Sequence, residues 1–130
     1  MATMSVSYGG GDRFTASARG HLIEVDQPEA DGGEDTAPTP TELLVASLAT
    51  CVAFYARRYL KRHDLPTDGL AVEVDWDLVK NPARLGPVTV RLTVPEGVPD
   101  DRREPLLKMA SHCTVHNTLV QAPEIDISLV

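Results

Sequence analysis

Residues 39–63 read "TPTELLVASLATCVAFYARRYLKRH", and the way this stretch folds decides the rest of the chain. Thr39 suits a helix N-cap, Pro40 the first helical position, and Glu42 the place from which a capping-box glutamate reaches back to the cap. The pattern predicts a helix from Pro40 to about His63, roughly 36 Å long at ~1.5 Å per residue. Between Leu43 and Tyr55 the helix is apolar nearly all the way round, so it calls for cover on every side. One sheet can cover one side, and a second subunit is the simplest supply for the other. A homodimer with the long helices near its middle is therefore expected. Cys51 falls about three turns inside, at ~3.6 residues per turn. A helix dipole acts mainly on the first turn, so a reactive thiolate at Cys51 needs some other support.

Ahead of the helix, "MSVSY", "RFTASA" and "HLIEVD" predict three short strands joined by the tight turns "GGGD" and "RG", a β-meander. The acidic Gly/Pro stretch "QPEADGGEDTAP" at 27–38 reads as a solvated connector. After the helix, "GLAVEVDWDLV" should turn Val72, Val74, Trp76 and Leu78 inward. Beyond a "KNPARLGP" loop, "VTVRLTV" should do the same with Val88, Val90, Leu92 and Val94. "DDRREPLLKMASHC" predicts a helix with Leu106, Met109, Ala110 and Cys113 on one face and Pro105 in its first turn. A short helix "TVHNTLV" and a last strand "EIDISLV" complete the order β-β-β-α-β-β-α-α-β. That is an α+β fold, expected as a single domain over 1–130.

The 130 residues suffice for one real core, and 42% hydrophobic with 24% charged residues fits a globular protein. Twelve Lys and Arg against 19 Asp and Glu give a formal net charge of −7, which repels phosphate backbones and anionic membranes. Nucleic acid and membrane are not expected partners. "MATMSVSYGGG" lacks the basic and apolar segments of a signal peptide, and the apolar run Leu43 to Phe54 is short of the ~20 residues that span a bilayer. A cytoplasmic location is expected, where two cysteines are redox-active or simply buried rather than permanently bridged.

Cys51 and Cys113 lie far apart in the chain, each on the apolar face of a predicted helix. Four readings are open. Both can be small core residues. "HCTVH" offers His112, Cys113 and His116 to zinc, with Cys51 as a distant ligand and no CxxC. A papain-like Cys–His pair has no obvious Asn or Asp to orient the histidine. The fourth is a redox pair.

"DGGEDTAPTPTELLVASLATC" and, further on, "LLKMASHCTVHNTL" resemble the OsmC/Ohr family, the osmotically induced and organic hydroperoxide resistance proteins, in its OsmC-like branch. The resemblance runs from "VDQP" to the last strand. It implies an entwined homodimer and a cysteine-based peroxidase of the oxidative stress response, acting on organic hydroperoxides and on hydrogen peroxide. Carried across, Cys51 is peroxidatic and Cys113 resolving, through a sulfenic acid and a Cys51–Cys113 disulfide. No bound cofactor or metal is implied; a small or protein dithiol supplies the electrons. The family's thiolate-holding arginine follows the first glycine turn. Here Gly11 stands at its place in "GGGDR", Arg13 comes two residues later, and Arg19 and Arg58 are the other candidate cations. Its orienting glutamate maps to Thr41, with Glu42 one residue on, and its Cys-Pro turn reads Cys113-Thr114. The alternative from a different class is a non-enzymatic OsmC-like dimer that binds a small apolar or thiol ligand.

Overall fold

The computed structural model describes residues 1–130, whose contacts divide the chain into two compact units, 1–44 and 45–130. The first holds an antiparallel meander of β1 (Ser5–Tyr8), β2 (Phe14–Ala18) and β3 (His21–Val25). Its β2–β3 turn places Arg19 at φ 52° and Gly20 at φ 83°. Two left-handed residues in a row match the twist of the strands they join. The connector that follows is organised by Asp26, which is 1% exposed. One carboxylate oxygen accepts from the amide of Gln27 at 2.7 Å, the other from the amide and hydroxyl of Thr36 at 3.0 and 2.8 Å. These bonds, the Thr36 amide foremost, hold the Asp26 pKa at about 2. Gly33 is obligatory in this connector, because a Cβ there would lie 2.0 Å from the carbonyl oxygen of Gln27. The predicted solvated linker is thus a built loop around one buried carboxylate.

Helix α1 (Pro40–Arg62) begins in the first unit and runs through the second. The second unit adds the hairpin β4 (Ala71–Val79) and β5 (Arg84–Thr93), then α2 (Asp100–Ala110) and α3 (Thr114–Val120). Its core joins Leu48, Val52, Ala56, Tyr59 and Leu60 of α1 to Leu106 and Ala110 of α2 and to Cys113. Val72 of β4 and Val88, Val90 and Leu92 of β5 pack against it. Leu60 and Leu106 are fully buried, each contributing about 1.5–3 kcal/mol of transfer free energy.

The element order agrees with expectation as far as Val120, with six departures from the reading of the chain. Leu78 does not turn inward and is 67% exposed, whereas Trp76, opposite inward Val88 in the ladder, keeps the core side and is still 37% exposed. A register shift between them advances β4 by two residues while β5 advances by three, from Val88 to Leu85, so Val79 takes the inward place. The expected loop over 80–87 is half strand, a turn at 80–83 followed by β5 from Arg84, whose guanidinium donates to the carbonyls of Lys80 and Pro82. Gly86 lets the two strands close, since a Cβ there would sit 2.6 Å from a Val79 methyl. Pro105 lies in the second turn of α2, not the first, because Pro99 caps a helix that starts at Asp100. The carbonyl it deprives of a partner is that of exposed Asp101, which water can reach. Met109 is 37% exposed, unlike Leu106 and Ala110 on the same helix.

The predicted last strand is the fifth departure: residues 121–130 form no ladder, and Ile125, Ile127 and Leu129 are 78, 90 and 101% exposed. A strand needs a neighbour to bond to, and the chain provides none there. The sixth concerns α1, which by length and composition is long and apolar enough to cross a membrane. Within this chain Val45, Leu48, Val52, Ala56, Tyr59 and Leu60 of that helix are buried.

Candidate active site

Cys51 stands in the middle of α1, where Leu48 and Val52 beside it point into the core. It is half-buried and lies on the same face as exposed Leu44, Phe54 and Arg58, since these positions recur at the helical period. Cys113 is reached from the other end of the unit. Helix α2 stops at Ala110, and Cys113 then becomes the N-cap of α3 with φ −69° and ψ 156°. It is fully buried. The two thiols are unbridged and lie within interaction range of each other.

The first turn of α3 serves both sulfurs. The amide of Val115 donates to Cys51 Sγ at 3.5 Å, and the amide of His116 donates to Cys113 Sγ at 3.3 Å. Burial pushes the Cys113 thiol pKa up, the His116 amide pulls it down, and the neighbouring Cys51 thiol pushes it up again. The net direction is upward, so Cys113 rests as a thiol. The hydroxyls of Tyr55, four residues after Cys51, and Thr114, the residue after Cys113, share a hydrogen bond of 2.8 Å. A cavity of about 350 Å³ opens in the same unit, lined by Leu48, Val52, Val88, Val90, Leu107 and His116 among others but by neither cysteine. Inside it the only polar side chains are those of Ser111 and His116, and His116 Nδ1 is buried without a hydrogen-bond partner.

The sequence candidates sort into two groups. Cys51 and Cys113 meet. Arg13 and Glu42 belong to the first unit, where each has partners of its own. The Arg13 guanidinium pairs with Glu34 at 3.0 Å and also donates to the Gly9 carbonyl at 3.4 Å. Glu42 completes the capping box: its carboxylate accepts from the Thr39 amide at 3.0 Å, and its own amide donates to Thr39 Oγ1 at 3.1 Å. Arg19 is exposed in the β2–β3 turn and Arg58 is exposed on α1. No group of three or more His, Cys, Asp or Glu side chains is arranged to hold a metal ion. Sequence reading missed the Val115 amide, which leaves no mark in the residue string. It also passed over Tyr55, whose place one helical turn after Cys51 was the available signal.

With this geometry in view, the family profile for OsmC-like proteins matches residues 32–128. The chain belongs to the OsmC-like family. Among solved structures, it is similar to a Psychrobacter arcticus protein named for osmotic stress induction and detoxification, at 26% identity and a TM-score of 0.83 over 91% of this chain and 88% of that one. The Mycoplasma pneumoniae OsmC-like protein shares the fold at 17% identity and TM-score 0.80, covering 94% and 89%. The Legionella pneumophila organic hydroperoxide resistance protein OsmC does so at 20% identity and TM-score 0.69, covering 90% and 88%. No curated protein matches the sequence.

Proposed function

We propose that this OsmC-like protein is a cysteine peroxidase that reduces organic hydroperoxides. The observation that carries the reading is the meeting of two unbridged cysteines, far apart in sequence, within one apolar core. The Cys51 thiolate attacks the outer peroxide oxygen; the O–O bond breaks, Cys51 becomes a sulfenic acid, and the alkoxide takes a proton to leave as an alcohol. The Cys113 sulfur then attacks the sulfenic sulfur, and the hydroxyl departs with the Cys113 proton as water. A dithiol reduces the resulting disulfide and is itself oxidised. Cys51 is the better first nucleophile because it is half-exposed, whereas Cys113 is buried and held as a thiol. The aliphatic cavity favours a hydroperoxide with a hydrocarbon body over hydrogen peroxide, because its walls gain by burial and offer few polar partners. Arg13 and Glu42 enter the proposal as thiolate-holding cation and orienting acid through the family resemblance. The cytoplasm is the proposed setting, with its reducing dithiols and without any bound cofactor.

The working unit is proposed to be a homodimer. Exposed Leu44 and Phe54 on α1 and the alternating Ile125, Ile127 and Leu129 of the C-terminal segment leave more apolar surface than a single chain covers. Sedimentation should give about twice the chain mass of 14.1 kDa.

A second reading, a non-enzymatic dimer that binds a small apolar or thiol ligand, draws on Arg13 and Glu42. Both side chains already have structural partners, Glu34 and Thr39. Treatment with a small excess of cumene hydroperoxide separates the two. The peroxidase loses two hydrogens per chain by mass spectrometry and yields a Cys51–Cys113 peptide. Unchanged mass with cumene hydroperoxide still present refutes it in favour of the second reading.

A further inference from the structure

Helix α3 poses a mechanical question. It has seven residues, and none of them is buried. A helix this short does not persist on its own, so its position is set by what fastens it. Yet Cys113, its cap, must be held against Cys51 for a disulfide to close. Val115, partly buried, packs on the core, and its amide reaches Cys51. Asn117 Nδ2 donates to the nearby His112 carbonyl at 3.3 Å, and the long-range side-chain fastening is the bond of 2.8 Å between the hydroxyls of Tyr55 and Thr114, which joins residues 59 positions apart.

Both ends of that bond adjoin a sulfur-bearing residue. Tyr55 is one turn beyond Cys51, and helical side chains lean towards the N-terminus, so its ring covers the turn that carries the thiol. Phe54 packs edge-on against this ring, with centroids 5.5 Å apart at 85°, which limits its swing. Thr114 is the residue after Cys113 and the first of α3. The hydroxyl pair therefore spans the gap across which the disulfide must form. A packing role alone needs only the ring of Tyr55 and the methyl of Thr114.

We propose that the Tyr55–Thr114 hydrogen bond is a clasp that positions Cys113 against Cys51 and so regulates how readily the disulfide closes. The two are positioning residues: neither hydroxyl bonds to a sulfur, and both act through the start of α3. The clasp deepens the peroxidase reading, on which its purpose rests. Its effect on the thiol pair is nonetheless measurable without any peroxide.

The test is equilibration of the full chain in glutathione buffers. One oxidised glutathione takes two electrons from the Cys51 and Cys113 thiols, giving one protein disulfide and two reduced glutathiones. The equilibrium constant is the effective concentration of one thiol at the other, a direct reading of positioning. Tyr55→Phe and Thr114→Val should each lower it about fivefold, the factor carried by one ordinary hydrogen bond. The double variant should be no worse than either single one, since both remove the same bond. Thr114→Ser, which keeps the hydroxyl, should match the parent. In a second arm, one equivalent of cumene hydroperoxide is added and the dimedone-reactive Cys51 is followed; the clasp variants should prolong its lifetime by a similar factor. An unchanged equilibrium constant in Tyr55→Phe and Thr114→Val, or an equal loss in Thr114→Ser, overturns the clasp. A lowered constant together with no Cys51–Cys113 disulfide formed by cumene hydroperoxide in the parent keeps the clasp and sinks the peroxidase reading instead.

Discussion

The starts of α1 and α3 solve the same problem with different atoms. Both must satisfy amide groups that have no helical partner. At α1, Thr39 and Glu42 do so reciprocally with oxygen acceptors, and Asp26 steadies the approach by accepting from Thr36 and donating its amide to the Pro38 carbonyl at 3.1 Å. At α3, the acceptor is the Cys113 sulfur. Sulfur is a weak acceptor, so it caps less well than a hydroxyl would. What the site gains is a thiol fixed in the core, beside a second thiol that accepts from the preceding amide, that of Val115. A cap built for stability and a cap built for chemistry occupy the same structural slot.

The sharpest break of this comparison is chemical. Cys51→Ser should abolish peroxide consumption. Cys113→Ser should consume one peroxide per chain and then stall as a Cys51 sulfenic acid that dimedone traps. Serine is itself a favoured N-cap, so the start of α3 survives this change and the stall is not an unfolding effect. If the two serine variants behave alike in a peroxide assay, the division of labour between the cysteines is wrong.

Alkylation comes next in size. With each cysteine alone in its single-serine variant, iodoacetamide at pH 8 should modify Cys51 at least about tenfold faster than buried Cys113. Burial, the largest cause of the raised Cys113 pKa, persists without Cys51, so Cys113 should titrate above the free value of ~8.5. The linkage runs one way: unfolded Cys113 ionises first, so its contribution to stability is complete below ~8.5 and is lost as pH climbs through the folded value. A Cys113 that alkylates as fast as Cys51 would remove the contrast.

The oxygen cap of α1 should respond more mildly. Thr39→Ala should cost about 1 kcal/mol in denaturant unfolding. Glu42→Gln should cost less, because glutamine also serves in a capping box. Peroxide turnover by Glu42→Gln then assigns the residue: retained activity makes it a cap alone, and a severe loss at unchanged stability makes it part of the site.

Acid gives the smallest effect and separates the two starts by charge. The Asp26 pKa lies at about 2 against an ordinary 3.8, so its stabilisation is present above ~4 and is lost as pH falls towards 2. Amide exchange at 27–38 should quicken over that window. The amides of Thr114–Val120, capped by an uncharged sulfur, should not follow it.

Much of this was written locally. The capping box, the strand alternation in β5 and the face of α1 follow from spacing, because each depends on residues a few positions apart. Leu78 could not be read that way, since its facing depends on an extra residue in the opposite strand. Nor could the last strand, for "EIDISLV" has the alternation of a strand while residues 121–130 have no ladder to join. Of the site, both cysteines were visible as residues on apolar faces, and the family pattern singled them out.

The sequence by itself determined where α1 starts, which positions are apolar, and that two cysteines sit on two helices. Only the tertiary structure decided that Cys113 caps α3 and that the Val115 amide reaches Cys51. Tertiary structure also joined Tyr55 to Thr114. The reason is range. Periodicity and caps act within one or two turns, whereas a contact between residues 51 and 115 exists only once α1 and α3 pack on the same core.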